Sequence, residues 1–424
     1  MLSSSLWLLL QRFFPSLIDR ADYLIKFNRT TDEAFELVSK SMNGSFLKLS
    51  VKRSWRTHFW WLLGGSLVIG GVVGLCCFVL SHLLSRLNLG VDHAKKHGIS
   101  HEDGSRLGGV AIALTFLLVV IFEALWSGTG SAFDDYGDLV ALVSVTLPIA
   151  FIGFVDDISQ RLSSSVRLVF MALFAIIGFI SLPQLMPTGI LQEFFGSENR
   201  VGLLVFSVFF FVGFINAGNM VDGANGLLSI LVASFFGFCF YLTKTNAHYL
   251  MMLVVSVFAF INLFGGTKIM LGDFGAFGLS ALTILTAFSV YQIYNVSIFL
   301  YASLLCYPCI EIVRIFTARL WIGESPLTAD NQHGHNLLFA GLSRLFNPKV
   351  ANSLTGVVIA LISVVPAWVL LALGWSYQTD LFLVVFLFQS LIYIAGTALL
   401  KRFFGGLYKS GEGSQGMRPR LQEP

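Results

Sequence analysis

Long uninterrupted apolar runs dominate this chain and leave it few ways to fold. They fall at about 59–84, 107–126, 139–155, 166–185, 201–217, 226–243, 249–265, 277–294, 296–316, 354–374 and 380–400. A membrane-crossing helix needs roughly 17–25 mostly apolar residues, so the pattern predicts about eleven spans. The hydrophobicity is continuous rather than alternating, which excludes a strand barrel. Hydrophobic residues make up 55% of the 424, and Asp, Glu, Lys and Arg only 12%, against about 25% charged in a soluble domain. Forty-one Phe cannot be hidden in one water-soluble core. A soluble enzyme, a disordered chain and a disulfide scaffold are thereby excluded. The net charge of +3 is too small to point to nucleic acid. All five Cys sit in apolar stretches, and the CxxC of Cys306 and Cys309 reads as two small hydrophobes. The expected fold class is all-α and polytopic.

Eleven spans alternate the loops between two sides, and cytoplasmic loops carry the excess of Lys and Arg. One side collects sixteen basic residues, among them Lys95, Lys96, Arg106, Arg161, Arg167, Lys268 and Arg319. The opposite loops hold only Arg200 and Lys244. The first side is therefore expected to be cytoplasmic. Nine further basic residues precede residue 59, on the side the odd span count would place outside, so the topology of residues 1–58 stays open. The chain divides into that segment, a multi-span domain over 59–400, and a tail over 401–424 expected to be cytoplasmic and disordered.

With so few charges, their placement carries the functional signal. The adjacent Asp156 and Asp157 close an apolar run, Asp222 lies in NMVDGANG, and Asp273 lies in LGDFGAFG. Asp330, His333 and His335 follow in a later loop of the same side. Ionisable groups at membrane depth are costly and usually functional. Neighbouring carboxylates repel, and either a divalent cation or a basic partner relieves that repulsion. An all-oxygen donor set suits Mg²⁺ or Mn²⁺. The helix expected after Asp273 would aim its free N–H groups at an anion. Acids for a metal, bases for phosphates and a His pair on one membrane face describe a phosphate-ester site at a lipid boundary.

Five motifs in order resemble the polyprenyl-phosphate N-acetylhexosamine-1-phosphate transferase superfamily, glycosyltransferase family 4. They are the loop from Asp92 through SRLGG (Ser105 to Gly109), GFVDD with Arg167 downstream, NAGNMVDGANGLL, KIMLGDFGAFGLS and SPLTADNQHGHNLL. Departures occur at Asn225, where the family has an Asp, at Asn336, where a last His is usual, and at Ser165, near a commonly basic position. The absent third His argues against the phospho-MurNAc-pentapeptide branch.

The resemblance implies an enzyme of the glycosyl-1-phosphate transferase type (EC 2.7.8). It would move N-acetylhexosamine-1-phosphate from a UDP-sugar to undecaprenyl phosphate and release UMP, the first membrane step of a cell-surface polysaccharide such as lipopolysaccharide. It places the protein in the inner membrane, with the site facing the cytoplasm, and allows a homodimer. It makes Asp273 the main metal ligand, with Asp157 close enough to assist, and counts Asp156 and Asp157 as catalytic, Asp156 orienting or deprotonating the lipid phosphate. His333 and His335 would touch the pyrophosphate or sugar. Asn216, Asn219, Asp222 and Asn225 would suit the nucleotide, with Asn262 and Asp330 nearby. Lys95, Lys96, Arg106, Arg167 and Lys268 become phosphate contacts. The phospho-MurNAc-pentapeptide transferase remains an alternative. A secondary transporter with intramembrane acids is a further one, although it would carry acids in span centres and inverted repeats.

Overall fold

The computed structural model describes residues 71–84, 86, 90–92, 104–127, 131–190, 199–264, 269–294, 296–321, 323, 333–374 and 378–404. Lys95, Lys96, Lys268 and Asp330, residues 1–58 and the tail beyond 404 lie outside the described residues.

The helices are α1 (Gly71–Leu84), α2 (Gly108–Ser127), α3 (Ser131–Ser159), α4 (Ser164–Ser181), α5 (Arg200–Val221), α6 (Leu227–Thr243), α7 (Asn246–Phe264), α8 (Gly272–Tyr294), α9 (Ile298–Leu304), α10 (Cys306–Trp321), α11 (Gly334–Leu342), α12 (Pro348–Ala372) and α13 (Thr379–Phe404). Seven of them are long and apolar enough to cross a membrane: α4, α5, α7, α8, α12, α13 and the Ala141–Ser159 part of α3. The bent pair α9–α10 makes an eighth if it is one span, and α1, α6 and the Gly108–Ile121 part of α2 are apolar but shorter. The protein is an all-α polytopic membrane protein, as the composition required.

Starts follow local chemistry where capping residues are present. Ser163 accepts from Val166 N at the head of α4, Asn199 from Val201 and Gly202 N at α5, and Asn347 from Val350 N at α12, where Pro348 takes the first helical turn. The expected span 296–316 is corrected. It is two helices bent by 86° around Leu305. Pro308 has no N–H to offer the carbonyl four residues before it, so the helix ladder lacks one bond at this point.

Helix α8 is the axis of the bundle. Its most apolar window is 78% buried, against 11% for α13 and 17% for α4, whose large apolar side chains Val169, Ile180, Leu391 and Leu399 point outward. In water such faces would aggregate; in lipid they are solvated. Helix α3 lies flush against α8 because Gly153 has no side chain: a Cβ there would stand 2.3 Å from the Asp273 carbonyl oxygen.

A small antiparallel hairpin joins β1 (Val91–Asp92) to β2 (Gly104–Ser105), with Val91 opposite Ser105. Ser105 also bridges to Ile269, and Met270 N donates to Ser105 O at 2.8 Å. Gly108 N and Gly109 N then donate to the carbonyls of Met270 and Leu271. These bonds hold the heads of α2 and α8 side by side at one end of the bundle.

Gly153→Ala should force α3 off α8 and cost about 1–3 kcal/mol. That would read as an apparent melting temperature in detergent lower by roughly 2 °C or more. Gly396→Ala, at a position with nothing within 4 Å of the added carbon, should leave it unchanged.

Candidate active site

Gly272 opens α8 with φ +76°, a conformation that favours glycine. A Cβ there would also lie 1.9 Å from the Arg106 carbonyl oxygen and 2.9 Å from Asp157 Oδ2. The missing side chain lets the Asp157 carboxylate sit on the helix head. Asp273 N donates to Asp157 Oδ1 and Phe274 N to Oδ2, both at 2.9 Å. Asp157 is fully buried, with Arg106 Nη1 at 3.9 Å from Oδ1. Its neighbour Asp156 points elsewhere. Asp156 Oδ1 accepts from Leu162 N at 3.2 Å, and Oδ2 accepts from Arg167 Nη1 at 2.8 Å. The same Nη1 reaches Asp273 Oδ2 at 3.2 Å. The paired aspartates thus divide their work, one on backbone and one on a cation.

Asp222 follows the last turn of α5 and faces the Gly272 N–H. Burial pushes its carboxyl well above the usual carboxylate range, and the charges of Asp273 and Asp157 push the same way, against Arg106. Four carboxyl groups meet two guanidiniums here.

These groups form the polar end of a cavity of about 1870 Å³, larger than the ≈ 300–1,000 Å³ usual for one small ligand. Arg106, Asp156, Arg167, Asp222 and Asp273 line it, as do Asn216, Asn219, Asn225, Asn262, His333 and His335. Asp157 lies beneath the wall rather than on it. Asn216 is turned back onto its own helix, donating to Val212 O at 2.8 Å. Asn262 braces the turn before α6: it accepts from Gly226 N and donates to Ile269 O, both at 2.6 Å. Asn225 donates from Nδ2 to Ser353 Oγ at 3.3 Å, and its N–H donates to Asn352 Oδ1 at 2.9 Å. Away from the acids the wall becomes apolar along α4, α5 and the α9–α10 bend. Phe206, Phe288 and Phe299 line it there, and exposed Val205, Phe209 and Phe316 mark its mouth on the bundle surface.

The histidines belong to a second cluster that the acid pattern in the loops did not reveal. Glu311, within the apolar stretch of α10, is fully buried. It accepts from Arg314 Nε and Nη2 at 2.9 Å, from His333 Nδ1 at 3.0 Å, from Gly334 N at 3.1 Å and from the Tyr393 hydroxyl. His335 N donates to Tyr307 Oη at 2.9 Å, and His335 Nδ1 lies 2.9 Å from the same oxygen. The two imidazoles are parallel, 5.4 Å apart. Burial, with His333 adding, drives His335 down to about 3, so its ring is neutral. The signal in the sequence was an acid inside a predicted span.

Among the described residues no three His, Cys, Asp or Glu side chains form a ready metal cage. The chemistry of the donors nevertheless fits a hard divalent cation. Asp156, Asp222 and Asp273 offer only oxygens, and the local excess of carboxyl groups over guanidiniums is of the size such an ion would offset.

This arrangement is a cluster of carboxyl groups and guanidiniums at the end of a largely apolar cavity in a membrane bundle. Residues 139–299 match the family model for glycosyl transferase family 4, so the family resemblance drawn from the motifs holds over the stretch that contains both paired aspartates, Asp222 and Asp273. The chain is similar to the phospho-N-acetylmuramoyl-pentapeptide-transferase of Wolbachia sp. subsp. Brugia malayi, 28% identical over 204 residues, covering 43% of this chain and 59% of that protein. The enzyme of the same name from Staphylococcus saprophyticus is 28% identical over 208 residues, covering 43% and 60%. That of Enterococcus hirae is 29% identical over 174 residues, covering 37% and 53%. The chain thus spans little more than half the length of these curated relatives.

Asp156 and Asp157 should respond differently to truncation. Asp157→Ala should lower the melting temperature as well as turnover, because two N–H groups at a buried helix head lose their acceptor, at about 1–3 kcal/mol. Asp156→Ala, which leaves Arg167 its second carboxylate on Asp273, should lower the melting temperature less than Asp157→Ala while removing activity.

Proposed function

We propose that this protein transfers a sugar-1-phosphate from a UDP-sugar to a polyprenyl phosphate such as undecaprenyl phosphate, releasing UMP. The observation that carries the reading is the cavity itself. Asp156, Asp222, Asp273, Arg106 and Arg167 gather at one end, and an aromatic, lipid-open wall forms the other. A polyanion and a hydrocarbon chain need those two surfaces together, and few other substrates do.

In the reaction an oxygen of the lipid phosphate bonds to the β-phosphorus of the donor while the bond from that phosphorus to the UMP oxygen breaks. Arg167, held between Asp156 and Asp273, is placed to orient the phosphates in line. Asp156 accepts whatever proton the attacking phosphate carries. A bound Mg²⁺ or Mn²⁺, held by Asp273 with Asp156 and Asp222, would offset the negative charge growing on the departing phosphate. Asp157 holds the head of α8 so that Asp273 faces the cavity. Asn219 and the Asp222 turn offer the donors and acceptors a nucleotide base requires, and His333 and His335 stand where the pyrophosphate or sugar would extend. The side rich in basic residues makes this face cytoplasmic, in the inner membrane.

The default donor is UDP-GlcNAc or another UDP-N-acetylhexosamine. UDP-MurNAc-pentapeptide is the second reading, favoured by the names of the similar relatives and opposed by Asn336 at the last His position. One assay tests the function and separates the donors. Purified protein receives undecaprenyl phosphate, Mg²⁺ and each UDP-sugar in turn, and UMP is measured. UMP release should require both lipid and metal, and should fall roughly hundredfold or more in Asp273→Ala and Asp156→Ala. Absence of UMP with every donor, or normal release from either variant, would overturn the reading.

A further inference from the structure

We propose that Glu311 and Tyr307 are positioning residues that fix the Nδ1 atoms of His333 and His335 in opposite roles, a donor in His333 and an acceptor in His335, and so orient both rings beside the acidic turn. This deepens the function proposed above and rests on it.

The assignment follows from counting hydrogens. A carboxylate can only accept. Glu311 already receives Arg314 twice, Gly334 N and Tyr393, so the His333 Nδ1 atom at 3.0 Å must carry a proton to join it. The Tyr307 hydroxyl has one hydrogen. Its oxygen accepts from His335 N–H, and among the described residues the other polar atom within hydrogen-bond distance is His335 Nδ1. Leaving a buried hydroxyl hydrogen without an acceptor would cost about 1–3 kcal/mol, so the hydroxyl donates to Nδ1. The proton of the neutral His335 ring is then on Nε2.

Packing aims both rings. His335 Nε2 lies against Gly223, where a Cβ would come within 2.2 Å of it; the glycine after Asp222 makes room for that nitrogen at the acidic turn. His333 stacks on it with 2° between the planes. Tyr393, edge-on to Tyr307 at 5.2 Å, joins the two supports by bonding Glu311. His335 thus keeps an Nε2–H beside the turn that carries Asp222, with the His333 ring stacked on it.

Double-mutant cycles in the UMP-release assay test this, because a residue acting through its histidine loses its effect once that histidine is gone. Glu311→Gln should lower kcat roughly ten- to hundredfold with little change in donor KM, the scale seen when a group that orients a functional imidazole is altered. In a His333→Ala background the same change should have no further effect. Tyr307→Phe should behave likewise against His335→Ala. Tyr393→Phe loosens Glu311 without touching either ring; it should give a smaller loss that also vanishes in His333→Ala, and it serves if Glu311→Gln does not fold. Independent losses that multiply in the double variants would overturn the positioning proposal while leaving the transferase reading intact. Full turnover in His333→Ala and His335→Ala would overturn it too, by showing that the pair does not serve the reaction. Absence of UMP from the parent protein would instead fail the functional reading beneath it.

Discussion

Two helices at the working end of this bundle are capped from elsewhere in the chain, and the site depends on those caps. The first N–H groups of an α-helix have no partner within it, and inside a membrane they cannot turn to water. Helix α8 solves this with Asp157, from the end of α3. Helix α11 solves it with Glu311, from the middle of α10. In each case a carboxylate stabilises the positive helix end and welds two elements together beside the residues that face the cavity, Asp273 at one head and His333 at the other.

The same constraint explains why each acid arrives with a base. A lone carboxylate in an apolar bundle is expensive, and removing one partner of a buried pair costs more than never having had it. Asp157 has Arg106, Asp156 and Asp273 share Arg167, and Glu311 has Arg314. Of the alternatives open for the aspartate pair, cation or basic partner, the protein chain itself supplies the second. A divalent ion would join that arrangement rather than create it. Arg167 is the pivot, since it touches the residue expected to meet the lipid phosphate and the residue expected to meet the metal.

Most of the fold was legible because lipid and apolar sequence speak directly to each other. Runs such as 249–265 and 380–400 became α7 and α13 with small shifts at their ends. The convergence of Asp156, Asp222, Asp273, Arg106 and Arg167 was legible too, through motif order. What escaped was long-range. That Asp157 faces backbone while Asp156 faces the cavity depends on α3 meeting the head of α8, contacts 116 and 117 residues apart. Asn225 and Asn262 looked like ligand groups, yet the structure gives both bracing bonds, to Ser353 and to Gly226 and Ile269. Glu311 was hidden inside an apolar run, and its partners His333, Gly334 and Tyr393 lie 22 to 82 residues away in the sequence.

The break at Leu305 ties these threads together. A straight helix from 298 to 321 would carry Glu311 along one direction, with no reason to approach the loop that bears the histidines. Bent by 86°, α10 instead brings Tyr307 and Glu311 under His335 and His333, while the same turn leaves Phe299 and Phe316 on the cavity wall. Pro308 weakens the ladder at that turn by withholding one N–H. A single backbone defect thus joins the apolar arm that would hold a polyprenyl chain to the polar floor that would hold its phosphate, so the bend is part of the site rather than an interruption of a span.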